Sequence, residues 1–213
     1  MATQNQLEGY GYRFEAGTDP SAPVLLLLHG TGGDENDLIP IARQVAPTSA
    51  LVSPRGNVSE NGAARFFRRI AEGVFDLEDL AVRTAALLRF VAAAAKQHQF
   101  TTDQVVALGF SNGANVAASM MLTQPATLRH GILIRAMLPF QPASAPDMKG
   151  CSALIAAGRS DQMISQPMTE KLAALMRSAG ARVELKWHDA GHGMVQADVN
   201  DARDYLLAWK PSA

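Results

Sequence analysis

A single cysteine, Cys151, stands in 213 residues. The chain therefore has no intramolecular disulfide framework and no cysteine-built zinc cluster. An excess of either charge is missing too: 19 Lys and Arg against 20 Asp and Glu leave a formal net charge of −1. That balance excludes the basic footprint of a nucleic-acid binder or of a protein held on anionic membrane. Long apolar runs are absent. Val24 to Leu28, the longest strand-like one, falls far short of a membrane span. Leu80 to Ala95 is apolar and Ala-rich, but Arg83 and Arg89 interrupt it, so it reads as a buried amphipathic helix. Met1 to Gly17 is polar and mixed, without the apolar core of a secretory signal. These absences predict a reduced, cytoplasmic protein with no integral membrane association. At 47% hydrophobic and 18% charged, the composition is that of a folded globule. The length suits one domain over residues 1–213. A homodimer stays open, because no residue pattern locates a self-association patch.

Short apolar runs alternate with helical stretches. The runs are Val24 to Leu28, Ala50 to Val52, Val105 to Leu108, Ile132 to Leu138, Ala153 to Ala157 and Val183 to Trp187. Apolar runs without polar alternation belong to strands covered on both faces, as in a parallel sheet. Helices are predicted over Asp37–Val45, Leu77–Gln97 with Asp76 as cap, Asn112–Leu122, Gln166–Ser178 and Val195–Trp209. Tyr10 to Phe14 reads as an added antiparallel edge strand, and Pro54 to Gly73 as an irregular loop over one face. Repeated β-loop-α units predict an α/β fold with a mostly parallel, doubly wound sheet. Such sheets bind ligands beyond the carboxyl ends of their strands, so chemistry is sought there.

Gly109-Phe110-Ser111-Asn112-Gly113 joins a strand to a helix. This is G-x-S-x-G in the setting that exposes a nucleophilic serine. A serine hydroxyl needs a base. Topology puts His98 and His130 on the face opposite Ser111, and His29 opens a glycine-rich turn that suits a structural role. Of the remaining pair, His192 lies between Gly191 and Gly193, which lets its ring reach a nucleophile. His192 is the first choice and His188 the second. Asp161, just beyond Ala153 to Ala157, is the carboxylate that would orient the base; Asp147 precedes its strand and Asp189 favours local bonds. The order Ser…Asp…His is that of α/β-hydrolases. An oxyanion needs two donors. The backbone N–H of Asn112 supplies one, and that of Thr31, in His29-Gly30-Thr31-Gly32-Gly33, the other. That loop is not a phosphate loop, because Asp34 and Glu35 follow where Lys and Ser or Thr are required.

His29 to Leu38, Gly109 to Gly113, Gly158-Arg159-Ser160-Asp161 and Gly191-His192-Gly193 together resemble the phospholipase/carboxylesterase branch of the α/β-hydrolases. That branch includes acyl-protein thioesterases, and the chain looks closest to small bacterial carboxylesterases. Ser53 to Gly56, Arg65 to Arg69 and Glu72 to Asp76 are similar to a bacterial subgroup linked to quinone or hydroquinone stress. The resemblance implies a serine carboxylesterase that forms an acyl-enzyme on Ser111 with no metal or organic cofactor. Its partner would be a small-molecule ester of short to medium acyl length. Thioesterases of the branch usually carry Gln and Leu where this chain has Asn112 and Thr31. The donors are main-chain groups, so the chemistry carries over; long-acyl specificity does not carry over with it.

Residues for substrate contact have two readings each. Met163, Ile164 and Met194 line an acyl pocket or pack loops onto the sheet. Phe66 and Phe67 cover the site or pack a helix. Arg55 and Arg135 hold an acidic substrate group or pair with a loop carboxylate. An acyl-thioesterase or lysophospholipase is the alternative activity, and a non-catalytic binder on a hydrolase fold the alternative of another class.

Overall fold

The computed structural model describes residues 5–210. The chain begins with β1 (Asn5–Leu7), β2 (Tyr10–Glu15), β3 (Val24–Leu28), α1 (Ile39–Val45) and β4 (Leu51–Pro54). Two hairpins follow, β5 (Val58–Glu60) with β6 (Ala63–Arg65) and β7 (Arg69–Ala71) with β8 (Val74–Phe75). Next come α2 (Leu77–His98), β9 (Val105–Phe110), α3 (Asn112–Thr123) and β10 (His130–Ile134). The chain then runs through β11 (Ser152–Gly158), α4 (Gln166–Ser178), β12 (Arg182–His188) and α5 (Gln196–Ala208).

Eight strands form one sheet in the order β1-β2-β4-β3-β9-β10-β11-β12. From β4 to β12 all neighbours are parallel, while β2 and β1 add antiparallel at one edge. Side chains alternate across a strand, so both faces of the central strands meet helices. Leu25, Leu27, Val106, Leu108, Ile132 and Ile134 pack with α1 and α5. Val24, Leu26, Leu28, Val105, Leu133 and Ile155 pack with α2, α3 and α4. Burying both faces explains why these strands are apolar throughout. The α2 N-terminus is capped as its sequence predicts, with Asp76 Oδ1 accepting the Asp79 N–H at 3.0 Å. Among the described residues, no helix is long and apolar enough to cross a membrane.

Three expectations need correction. Tyr10 to Phe14 is a strand, but not the edge: β1, three residues with no apolar pattern, lies outside it. The strand expected over Ile132 to Leu138 runs from His130 to Ile134. It stops because Arg135 takes φ +57°, a left-handed conformation that no strand continues through. The segment 54–73 is not irregular. It carries β5 and β6, joined by Asn61-Gly62, both at positive φ. Asn-Gly is the two-residue turn whose twist suits a hairpin, and this signal was present in the sequence.

Candidate active site

Ser111 sits between β9 and α3 with φ +51° and ψ −113°. A non-glycine residue in such a conformation stores about 1–3 kcal/mol of strain. Its N–H donates to Ile134 O at 2.9 Å, and its carbonyl accepts the Asn115 N–H at 2.9 Å. The flanking glycines have separate steric reasons. A Cβ on Gly109 would lie 2.7 Å from Ala114 Cα. A Cβ on Gly113 would collide with the Leu28 carbonyl oxygen, so α3 could not approach β3.

Three nominated side chains form one hydrogen-bonded chain. Asp161 Oδ2 lies 2.9 Å from His192 Nδ1, and His192 Nε2 lies 2.8 Å from Ser111 Oγ. The other oxygen, Asp161 Oδ1, accepts the N–H groups of Met163 at 2.8 Å and Ile164 at 3.0 Å. Both carboxylate oxygens accept, so Nδ1 carries the imidazole proton and Nε2 is free to accept from Ser111. The Phe110 ring packs against His192 with centroids 5.6 Å apart.

The remaining histidines and aspartates lie elsewhere. His188 Nε2 is 3.1 Å from Asp201 Oδ2 and 3.4 Å from Asp198 Oδ1. His98, the last residue of α2, stacks on Phe14, and His130 begins β10 bonded to Ser152 Oγ at 2.9 Å. Asp147 accepts the Lys149 N–H ahead of β11, and Asp189 is 3.4 Å from Arg159. His29 has the structural place its turn suggested. Gly56 N–H donates to its Nε2 at 2.9 Å, so the ring proton is on Nδ1, 2.7 Å from Gly30 O. Burial pushes the His29 pKa below its usual value, against the opposing pull of that Gly30 carbonyl.

A cleft opens at Ser111 and His192. Thr31, Asn112, Met163 and Ile164, all nominated from sequence, line it. The other nominated contacts do not. Phe66 and Phe67 are fully buried in the core; Phe66 packs on His29 and Phe67 on Phe75. Met194 packs with the cluster beneath α1 and α5. Arg55 is half exposed and 3.7 Å from Glu35 Oε2. Arg135 is buried beneath the His192 loop, with Nε bonded to Gly191 O at 3.0 Å and Nη2 to Gly193 O at 2.9 Å. Each arginine thus has a local partner, which draws it away from the cleft.

Sequence reasoning missed Arg65, Arg69, Asn115 and Met137, which also line the cleft. The two arginines arrive on the hairpins. Arg65 Nη1 donates to Thr31 Oγ1 at 2.6 Å, and Gly32 N–H to Ala64 O at 2.9 Å, so β6 buttresses the glycine-rich loop. Burial draws the Arg65 guanidinium below its usual pKa, and nearby Glu60 opposes the shift.

The sequence pattern of the family described as Phospholipase/Carboxylesterase matches residues 11–210. The chain belongs to this family. As a phospholipase/carboxylesterase-family hydrolase it is 43% identical over 192 residues to the "Putative hydrolase MhqD" of Bacillus subtilis (strain 168), covering 90% of this chain and 95% of that one. The crystal structure of the Bacillus cereus carboxylesterase matches with TM-score 0.90 and 43% identity, over 92% of this chain and 93% of that chain. The carboxylesterase from Mesorhizobium loti matches with TM-score 0.88 and 34% identity, over 93% and 95% of the two chains.

Proposed function

We propose that this family hydrolase is a serine carboxylesterase that cleaves short-to-medium acyl esters through an acyl-enzyme. The observation that carries the reading is the unbroken chain from Asp161 through His192 to Ser111, at 2.9 and 2.8 Å. His192 Nε2 takes the Ser111 proton as Oγ attacks the ester carbonyl. The resulting oxyanion is held by the backbone N–H groups of Thr31 and Asn112. The latter begins α3, where the first N–H groups have no partner within the helix. His192 then protonates the departing alcohol. In the second half it activates water, which attacks the acyl-enzyme and releases the acid. Asp161 keeps the imidazole in the tautomer that accepts from Ser111. Met163 and Ile164 in the lining of the cleft offer apolar surface to the acyl part of a small-molecule ester.

The test is a p-nitrophenyl ester series from acetate to palmitate, with wild type set against Ser111→Ala. Ser111-dependent turnover peaking at short chains is the expected result. A peak at long chains would transfer the activity to a thioesterase or lysophospholipase. A folded protein with no Ser111-dependent turnover and no labelling by a fluorophosphonate probe would overturn the esterase reading.

A further inference from the structure

In the side-chain amides beside Ser111 the oxygens are engaged by the protein, while NH2 donors are left over. Asn112 Oδ1 accepts the Phe66 N–H at 2.8 Å. Asn115 Oδ1 accepts the Met137 N–H at 2.9 Å. These backbone donors fix which end of each amide is oxygen, so each NH2 group turns the other way. Asn112 is 3% exposed, and its Nδ2 is buried without a hydrogen-bond partner. Buried donors are normally paired, so an unpaired one beside a reactive serine points to an absent acceptor. Thr31 Oγ1 is also engaged, by Arg65 Nη1.

Two guanidiniums face this same space. Arg65 is 3% exposed and directs Nε to Phe67 O and Glu60 Oε2, both at 3.1 Å. Arg69 directs Nε and Nη2 to Glu60 Oε1 at 2.9 and 2.8 Å. One carboxylate, Glu60, therefore serves two cations. Glu72 also lines the cleft, but it is exposed, where water and salt screen its charge. The charge on buried Arg65 acts through a lower dielectric and is felt more strongly.

We infer that the cleft beside Ser111 is a carboxylate subsite, and that the esters it takes carry a carboxylate held by Arg65, Arg69 and the amides of Asn112 and Asn115. This rests on the esterase reading of the same cleft and narrows its substrate class to half-esters of dicarboxylic acids or esters of hydroxy acids. Arginine suits the task because its planar fork meets both oxygens of a carboxylate.

The experiment compares kcat/KM for charged and neutral esters of matched length by pH-stat. Monomethyl succinate, glutarate and adipate are set against methyl butyrate, pentanoate and hexanoate. Acetoxyacetate against propyl acetate tests a carboxylate on the alcohol side. At least one charged ester is expected to be preferred by about tenfold or more, the scale of a charge-assisted contact. The ratio should fall toward one in Arg69→Gln, and also in wild type as salt rises. Calorimetry on Ser111→Ala reads the subsite without turnover: monomethyl succinate, glutarate or adipate should bind more tightly than methyl butyrate, pentanoate or hexanoate, which lack the carboxylate. Ester turnover without preference for charge, together with equal binding of charged and neutral esters by Ser111→Ala, would overturn the subsite and leave the esterase standing. Selective binding of the charged esters by Ser111→Ala, without turnover of any ester by the wild type, would support the subsite and sink the esterase.

Discussion

Arg135 and Asp198 form a bidentate ion pair with no solvent exposure on either side chain, Nη1 to Oδ1 and Nη2 to Oδ2 each at 2.9 Å. The other guanidinium hydrogens bond the carbonyls of Ala156, Gly191 and Gly193. The last two flank His192, so this pair is the floor on which the histidine loop rests. Asp198 Oδ2 also accepts the Val195 N–H at 2.8 Å, which ties the start of α5 to the same point.

Arg135→Met should therefore be costly twice. It strands the Asp198 charge in the interior, worth about 3–5 kcal/mol of stability, and it frees both glycine carbonyls. The double variant Arg135→Met with Asp198→Asn should regain much of the stability in urea unfolding but little of the turnover. Recovery of both together would reduce Arg135 to a purely structural group.

Ser111→Ala and Ser111→Gly should both abolish ester turnover, yet differ in stability. Alanine keeps the strained positive φ, whereas glycine adopts it freely. Relief of strain exceeds the added chain entropy of glycine, so Ser111→Gly should be the more stable by about 1 kcal/mol. Chemical denaturation of the two variants side by side decides the point, and a more stable alanine variant would contradict it.

The roles proposed for His192 as base and Asp161 as its orienting carboxylate can be tested against their neighbours. Asp161→Asn should lower kcat on the order of a thousandfold or more, because an amide no longer selects the Nδ1–H tautomer. His188→Ala should retain most activity, since its ring faces Asp198 and Asp201 rather than Ser111. A dead His188 variant or a loss under about tenfold for Asp161→Asn would redraw the assignment.

Stability should decline as pH falls below about 6.5, the ordinary histidine range. Burial holds His29 below that value when folded, while the unfolded chain takes up its proton normally. The unfolded state thus binds more protons between the two pKa values, and unfolding gains there. The contribution of His29 is fully present above the unfolded pKa and diminishes as pH drops toward the folded one. A protonated ring would also lose the Gly56 N–H bond to Nε2. Thermal midpoints from pH 8 to pH 5 should fall less steeply in His29→Gln than in wild type.

Much of the fold was legible because its signals are local. Val24–Leu28 and Val105–Phe110 are apolar at every position because both faces are covered, and glycine marks where the chain turns sharply. The hairpins of 58–75 were obscured by their length. Strands of two or three residues show no periodicity, and only Asn61-Gly62 announced one of them. Arg135 was misplaced as a strand residue because its positive φ leaves no mark on composition.

The alternation of central strands and helices along the chain, the turn that carries Ser111, and the choice of Ser111, Asp161 and His192 as candidates follow from the sequence alone; the order of strands in the sheet does not. The steric limit that Ala114 sets at Gly109 and the apolar pattern act within a few residues, where sequence is readable. The partners of the arginines follow only from the tertiary structure. A guanidinium ends a long, flexible side chain and can reach any of several carboxylates or carbonyls. The fold sends Arg135 to Asp198 beneath the histidine loop and Arg55 to Glu35, and brings Arg65 and Arg69 to the cleft. Such choices depend on groups far apart in the chain, as with Arg135 and Asp198 at a separation of 63 residues, and folding is what brings them within hydrogen-bond reach.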